Sequence, residues 1–408
     1  MSNNCLVAQS GGPTAAINAS LAGVVSGVIK SNRYDKIYGS IHGIQGVFNQ
    51  KYLDLSDSTP EFIEKLAHTP AMYLGSCRFK LPSMDKDPDV YKRIFSEFNR
   101  MNISAFFYIG GNDSMDTVDK LSAYAAAIGS DIKIAGVPKT IDNDLVKTDH
   151  TPGFGSAAKY VASSIREIAY DTYIYDVESV TIIEVMGRDA GWLTASSVLA
   201  RTDFSRAPHL IYLPETAFDT EAFLSDIKLL LPKYRNVIVA VSEGIRDKDG
   251  NYISAGNAVA DNFGHAQLSG AGKCLENLVK TRLGVKVRSV EINVLQRCAG
   301  HMISENDISE SMASGENAVK LTEDGHSGFM TTIKRLSDNP YAYSLDMIPV
   351  NMVANKAKAV PSEWINNEGN DVTDEMITYL KPLVQGERPV SYQDGIVSYL
   401  DISHLNRQ

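Results

Sequence analysis

The densest chemistry in the chain lies in Pro138-Lys139-Thr140-Ile141-Asp142-Asn143-Asp144, directly after an apolar run. In an extended segment, residues two apart point the same way, so Thr140, Asp142 and Asp144 are expected on one face. A hydroxyl and two carboxylates at a strand's end suit proton abstraction beside a metal-bound polyphosphate. Adjacent carboxylates repel, so one of them should hold its proton more tightly unless a cation is near. Lys139 and a metal would provide that charge.

Other turns offer complementary groups. Ser10-Gly11-Gly12-Pro13-Thr14 precedes a helix carrying Asn18, and Gly110-Gly111-Asn112-Asp113-Ser114 precedes another. Glycines let the backbone approach a phosphate, and a helix N-terminus supplies unpaired N–H donors. Asp113 adds a carboxylate that could reach a metal. The first turn is neither a Walker A loop nor a G-x-G-x-x-G fingerprint. In Met186-Gly187-Arg188, a planar, permanently charged guanidinium suits phosphate. Glu243 in Ser242-Glu243-Gly244 could accept hydrogen bonds from sugar hydroxyls. Arg288 and Arg297 could meet on a phosphate only through tertiary folding. Each feature also has an ordinary structural explanation: a tight turn, a helix cap, a surface ion pair such as Arg188 with Asp189, or scattered surface arginines.

These residues sit on a regular frame. Short apolar runs are expected as strands at Leu6–Gln9, Ile37–Ile41, Ala105–Ile109, Ile132–Val137, Val180–Val185, Leu210–Leu213, Val237–Val241 and Val287–Val294. Amphipathic stretches between them, such as Asp116–Ile128, Ala157–Asp171 and Glu221–Leu231, predict helices. Strands separated by helices imply parallel βαβ units and a doubly wound α/β fold. The glycine-rich turns then fall at strand carboxyl ends, where open α/β sheets bind ligands. A soft boundary is expected near Thr151–Gly155. After about Asn339 the alternation weakens, apart from a short helix near Asp374–Leu380 that Pro382 should stop.

The chain of 408 residues carries 39 Lys+Arg against 49 Asp+Glu, a net charge of −10, with 44% apolar residues. That acidity disfavours a nucleic-acid-binding face, so phosphate chemistry needs a local excess of positive charge. The cysteines at 5, 77, 274 and 298 show no metal-ligand spacing and suit reduced thiols in the cytoplasm. No apolar run approaches the ~18 residues of a membrane span, and the start of the chain does not read as a signal peptide.

In this order, the segments from Ser10-Gly11-Gly12 to Gln296-Arg297 resemble the phosphofructokinase family over roughly residues 5–335. The resemblance implies two interleaved Rossmann-like domains with the active site in the cleft between them. A phosphoryl-donor domain would span 1–150, with the chain returning at about 295–340. A sugar-phosphate domain would span 151–294, and 341–408 would be a C-terminal extension. Asp113 and Lys139 stand where ATP-dependent bacterial members carry glycines, so the chain is similar to the pyrophosphate-dependent branch. An Asp side chain fills the space an α-phosphate needs, Lys139 adds charge where pyrophosphate would sit, and the two are expected to pair.

The resemblance implies reversible transfer of a phosphoryl group from pyrophosphate to the 1-hydroxyl of fructose 6-phosphate. Asp142 would be the general base, with Asp144 beside it. Thr140 and Arg188 would contact the transferring group, and Lys139, Gly12 and Arg78 the donor. Met186, Gly187 and Glu243 would hold the sugar, and Arg288 and Arg297 its 6-phosphate. One of those arginines would come from a second subunit, implying a homodimer or homotetramer. Mg²⁺ would lie near Asn112, Asp113 and Asp144, although most members have Asp at the Asn112 position. Ser179 and Val294 replace a sugar-phosphate Arg and a sugar-binding His, which opens the acceptor site to sedoheptulose 7-phosphate. Ala22 and Ser26 replace two effector-site arginines, so allosteric regulation of that kind is not expected. An ATP-dependent kinase is the nearest alternative, and a non-catalytic sugar-phosphate sensor a more distant one.

Overall fold

Buried apolar strands organise the computed structural model, which describes residues 3–77, 79–254 and 270–406. The first sheet contains β1 (Asn4–Gln9), β2 (Lys36–Ser40), β3 (Tyr52–Asp54), β4 (Ile103–Gly110) and β5 (Lys133–Pro138). The second contains β6 (Ser179–Val185), β7 (Leu210–Tyr212), β8 (Asn236–Ser242) and β9 (Lys286–Glu291). The chain then returns to the first sheet with β10 (Phe329–Asp338) and β11 (Tyr341–Pro349). The first sheet runs β11-β10-β5-β4-β1-β2-β3 and the second β7-β8-β6-β9. Pairings are parallel except β2 with β3 and β10 with β11.

Strand alternation feeds two cores per sheet. Cys5 and Val7 of β1 face one side of the first sheet with Phe107 of β4, while Leu6 and Ala8 face the other with Phe106. Ile238 and Ala240 of β8 likewise oppose Val237, Val239 and Val241. This two-sided burial is what a doubly wound sheet requires. Each fully buried Val, Leu, Ile or Phe stabilises by about 1.5–3 kcal/mol. The helix Phe154–Tyr173 starts where the carboxylate of Asp307 accepts from the Gly153 and Ser156 amides at 2.7 and 2.9 Å. Two of its orphan N–H groups are thereby satisfied.

Three expectations need correction. The strand expected over Val287–Val294 stops at Glu291, because Asn293 turns left-handed (φ 47°) and opens a 3₁₀ turn to Arg297. The segment after Pro138 is not extended. Asn143 is left-handed (φ 54°), and the Thr140 hydroxyl oxygen accepts from the Asp142 amide at 3.1 Å, closing a local turn. The weakened alternation near Asn339 hides a hairpin, whose second strand is half-buried along most of its length. The helix Asp374–Leu380 forms as expected, and Lys381–Val384 follows it as a 3₁₀ turn.

The C-terminal region serves both sheets. Met376, Tyr379, Leu380 and Leu383 enter a core of the second sheet, and Leu400 and Leu405 pack on a core of the first. Among the described residues, no helix is long and apolar enough to cross a membrane.

Candidate active site

The carboxyl ends of β1, β4 and β5 face those of β6 and β8 across a cavity of about 580 Å³. Its wall includes Gly11, Gly12, Asn112, Asp113, Lys139, Thr140, Asp142, Asp144, Met186, Arg188, Glu243 and Arg297. Residues from turns far apart in sequence therefore meet in one place.

On the first-sheet side, Lys139 is 2% exposed and its Nζ donates to the Gly12 carbonyl at 2.6 Å. Burial lowers its pKa to about 8, against the pull of Asp142 and Asp144, while Arg297 adds to the lowering. The expected Asp113–Lys139 ion pair does not form among the described residues, because the ammonium turns to the glycine loop. Asp113 instead lies exposed in the first turn of the helix Asn112–Ala127, lining the cavity. A Cβ on Gly12 would stand 3.3 Å from Arg297 Nη1, so the bare backbone leaves room for that guanidinium.

The two carboxylates are held differently. Thr140 Oγ1 lies 3.2 Å from Asp142 Oδ2 and donates to it. Burial raises the Asp142 pKa, opposed by Thr140, Lys139, Arg188 and Arg297. Burial, and then the neighbouring Asp142, push Asp144 up to about 7, although Asn112 Nδ2 donates to it at 3.1 Å. Thr140, Asp142 and Asp144 do share a wall, but through the turn at Asn143 and not through strand alternation.

The opposite wall is assembled by close backbone approach. The Glu243 amide donates to the Val185 carbonyl at 2.9 Å, and Glu243 Oε1 accepts from the Gly187 amide at 3.3 Å. A side chain at Gly244 would collide with the Arg188 carbonyl, so a glycine is needed there to bring the two segments together. Burial raises the Glu243 pKa to about 7. Asp189 pairs with Arg246 at 2.5 Å and leaves Arg188 to the cavity.

Among the described residues, three buried polar atoms here have no protein partner: Nε of Arg188, Nε of Arg297 and Oδ1 of Asn112. Buried donors and acceptors are seldom left unmade in native proteins. Two orphaned guanidinium edges suit an anion, and an orphaned amide oxygen beside the raised Asp144 suits a hard cation. Among the described residues, no group of three or more His, Cys, Asp or Glu side chains forms a self-contained metal cage. The Asp144 carboxylate and the Asn112 amide oxygen suit a Mg²⁺-type ion, which takes one or two carboxylates and completes its shell with phosphate oxygens.

Of the expected residues, Arg288 is not brought in. Arg78 lies outside the described residues; its neighbour Ser76 donates through Oγ to the Gly11 carbonyl at 2.8 Å. Arg288 is held at Asp171 Oδ2 (2.7 Å) and Thr172 Oγ1 (2.8 Å), in a separate recess that includes Ser179 and Lys286. Conversely, Asn355, Lys356 and Ala357 line the cavity, and no motif in the sequence marked them. Their only signal was a lysine-bearing polar stretch after the last expected strand.

Residues 4–322 match the family model described as Phosphofructokinase. The chain is similar to the pyrophosphate–fructose 6-phosphate 1-phosphotransferase of Xanthomonas campestris, at 40% identity over 405 residues, covering 98% of this chain and 96% of the relative. It is similar to the protein of the same description from Halomonas elongata, at 39% identity, covering 97% and 94%. Among solved structures, the pyrophosphate-dependent phosphofructokinase from Nitrosospira multiformis aligns with a TM-score of 0.88 at 36% identity, covering 97% of this chain and 95% of that one.

Proposed function

Because this chain belongs to the phosphofructokinase family, we propose that it transfers a phosphoryl group reversibly from pyrophosphate to the 1-hydroxyl of fructose 6-phosphate. The observation that carries the donor assignment is the presence of Asp113 and Lys139 on one cavity wall. Asp113 occupies the helix N-terminus with negative charge, which opposes a third phosphate. Lys139 offers a buried cation to a compact one.

In this reaction the 1-oxygen of the sugar attacks the near phosphorus of pyrophosphate while its proton passes to Asp142. The bond from that phosphorus to the bridging oxygen breaks, and orthophosphate leaves. A carboxylate whose pKa is raised is a stronger base nearer neutrality. Thr140 orients Asp142 through the hydrogen bond at 3.2 Å. Lys139 and Arg188 stabilise charge on the transferring group, so rate enhancement is positional and electrostatic. Asp144, Asn112 and Asp113 would hold Mg²⁺ together with pyrophosphate oxygens, and the ion would neutralise phosphate charge.

Met186, Gly187 and Glu243 take the sugar, with the Glu243 carboxyl facing its hydroxyls. Arg297, with Nη1 against the Gly12 turn, also lends charge to the donor side. The donor rests on the sheet built from β1–β5, β10 and β11, and the sugar on the sheet built from β6–β9. Arg288 lies off the cavity of its own chain, which supports its reaching the 6-phosphate held by a second subunit. Tyr170, Ile174 and Tyr175 are exposed on the adjoining surface, where a homodimer contact would cover them.

A coupled assay comparing pyrophosphate with ATP, on fructose 6-phosphate and on sedoheptulose 7-phosphate, tests this reading. Turnover with pyrophosphate, and pyrophosphate formation from fructose 1,6-bisphosphate and orthophosphate, is expected. Turnover with ATP alone would overturn it.

A further inference from the structure

The family match ends at residue 322, yet part of the cavity wall comes from beyond it. After β11, Val353 and Ala354 are buried in a core of the first sheet and Val360 in a core of the second. Residues 355–359 therefore cross from one sheet to the other along the cavity. Asn355 is left-handed (φ 60°), and its Nδ2 donates to Asp116 Oδ1 at 2.9 Å. Ala357 forms an antiparallel bridge with Leu145, and the Lys358 amide donates to the Asp144 carbonyl at 2.7 Å. Lys358 Nζ donates to the carbonyls of Thr148 and Asp149 at 3.3 and 2.7 Å. The Trp192 indole returns a hydrogen bond to the Lys358 carbonyl at 2.8 Å. Both ends of the strap are thus tied to the elements that hold Asp113 and Asp144.

The two lysines of the strap serve different ends. Lys358 is committed to backbone carbonyls. Lys356 is exposed, and its Nζ donates to the Met352 carbonyl at 3.2 Å. Among the described residues it pairs with no carboxylate, although Asp113, Asp142 and Asp144 line the same cavity. A lysine on an anchored backbone, with an ammonium that no described carboxylate neutralises at a phosphate cleft, is placed to act as a mobile point charge.

We propose that Lys356 is a phosphate-contacting residue of the transfer site, serving the pyrophosphate and departing orthophosphate end, and that the strap 355–359 positions it. The strap's ties run to Asp116 and Asp144, on the donor side, which assigns Lys356 to the phosphate and not to the sugar. The inference rests on the pyrophosphate reading above.

The test uses the full chain as wild type, Lys356→Ala, Lys356→Gln and Lys356→Arg, with kcat and KM measured in both directions. A lost charge-assisted phosphate contact is expected to raise KM for pyrophosphate and for orthophosphate by about tenfold or more. KM for fructose 6-phosphate should stay within about twofold, and Arg should recover most of the loss. Unchanged phosphate KM values in both neutral variants, or an equal rise for the sugar phosphate, would overturn the proposal while leaving the donor reading intact. A wild type that does not use pyrophosphate would overturn both. The neutral variants keep the anchoring contacts of Asn355 and Lys358, and unchanged melting curves would confirm that the KM shifts are not a folding loss.

Discussion

Two pairs of acids, Asp149 with Glu310 and Asp142 with Asp144, sit under opposite electrostatic regimes. Asp149 and Glu310 are saturated by protein groups. The His150 ring, 1% exposed, reaches Asp149 through Nδ1 at 2.8 Å and Glu310 through Nε2 at 2.5 Å. Arg335 adds a bond to Asp149 at 2.9 Å, and Tyr341 donates to Glu310 at 2.5 Å. Burial alone would lower the His150 pKa, but Glu310 and Asp149 outweigh it and bring it to about 9. For Asp149, burial is outweighed by His150 and Arg335, and its pKa falls. Asp142 and Asp144 are half-buried and have no ion-pair partner among the described residues, and burial raises their pKa values. The fold completes the first pair with its own cations and gives the second only the Thr140 hydroxyl and the Asn112 amide as side-chain hydrogen-bond donors among the described residues.

The two pairs are also joined. Asn143, between Asp142 and Asp144, donates from Nδ2 to the Tyr379 hydroxyl at 2.8 Å, and that hydroxyl donates to the Asp149 carbonyl at 2.8 Å. The saturated cluster thus braces the left-handed turn that aims the unsaturated one.

Breaking each side should give different losses. Asp142→Ser should cut turnover with pyrophosphate by about 10²–10⁴-fold or more, the usual value of a general base. Its urea midpoint should stay level or rise, since a poorly paired buried acid is removed. Near-normal turnover would remove Asp142 from the mechanism. His150→Ala should do the reverse, costing about 3–5 kcal/mol in urea unfolding because Glu310 is left buried without its cation. The KM values of the molecules that remain folded should change little.

The pH dependence separates the pairs further. His150 is raised from 6.5 to about 9, so its stabilisation is full below about pH 6.5 and is lost as pH rises through 9. A His150→Gln protein should lack that alkaline decline in melting temperature. Asp149, lowered, contributes above its ordinary value of 3.8 and loses its contribution as pH falls. The smallest effect should come from Tyr379→Phe, which removes two hydrogen bonds worth about 1 kcal/mol each. It should lower kcat more than KM, because it loosens Asn143 and leaves the substrate contacts in place. An unchanged kcat would break the link between the pairs.

Much of this was legible locally. β1, β4, β5, β6 and β8 are continuous apolar runs ended by Gly, Pro or Ser, so they and their functional turns could be read from neighbouring residues alone. Local reading failed where partners are distant. The contact of Arg297 with Gly12 joins a 3₁₀ turn to a glycine loop nearly the whole chain away. Arg288, which only the family resemblance had assigned to the 6-phosphate, bonds Asp171 and Thr172. β10 and β11 mix buried and exposed positions at a sheet edge, which blurs their period.

The sequence by itself determined the alternating strands and helices from β1 to β9, apart from the short β3, and the residue types at each strand's end, while the resemblance at Asp113 and Lys139 implied the phosphoryl donor. These depend on short-range periodicity, glycine and proline turns, and the charge of single side chains. Tertiary structure alone decided which charges stay unpaired. Lys139 turns to Gly12 and not to Asp113, His150 and Arg335 neutralise one acid pair and not the other, and Lys356 meets no described carboxylate while Lys358 is tied to the carbonyls of Thr148 and Asp149. Pairing depends on burial and on contacts between residues far apart in sequence, and no local pattern encodes either.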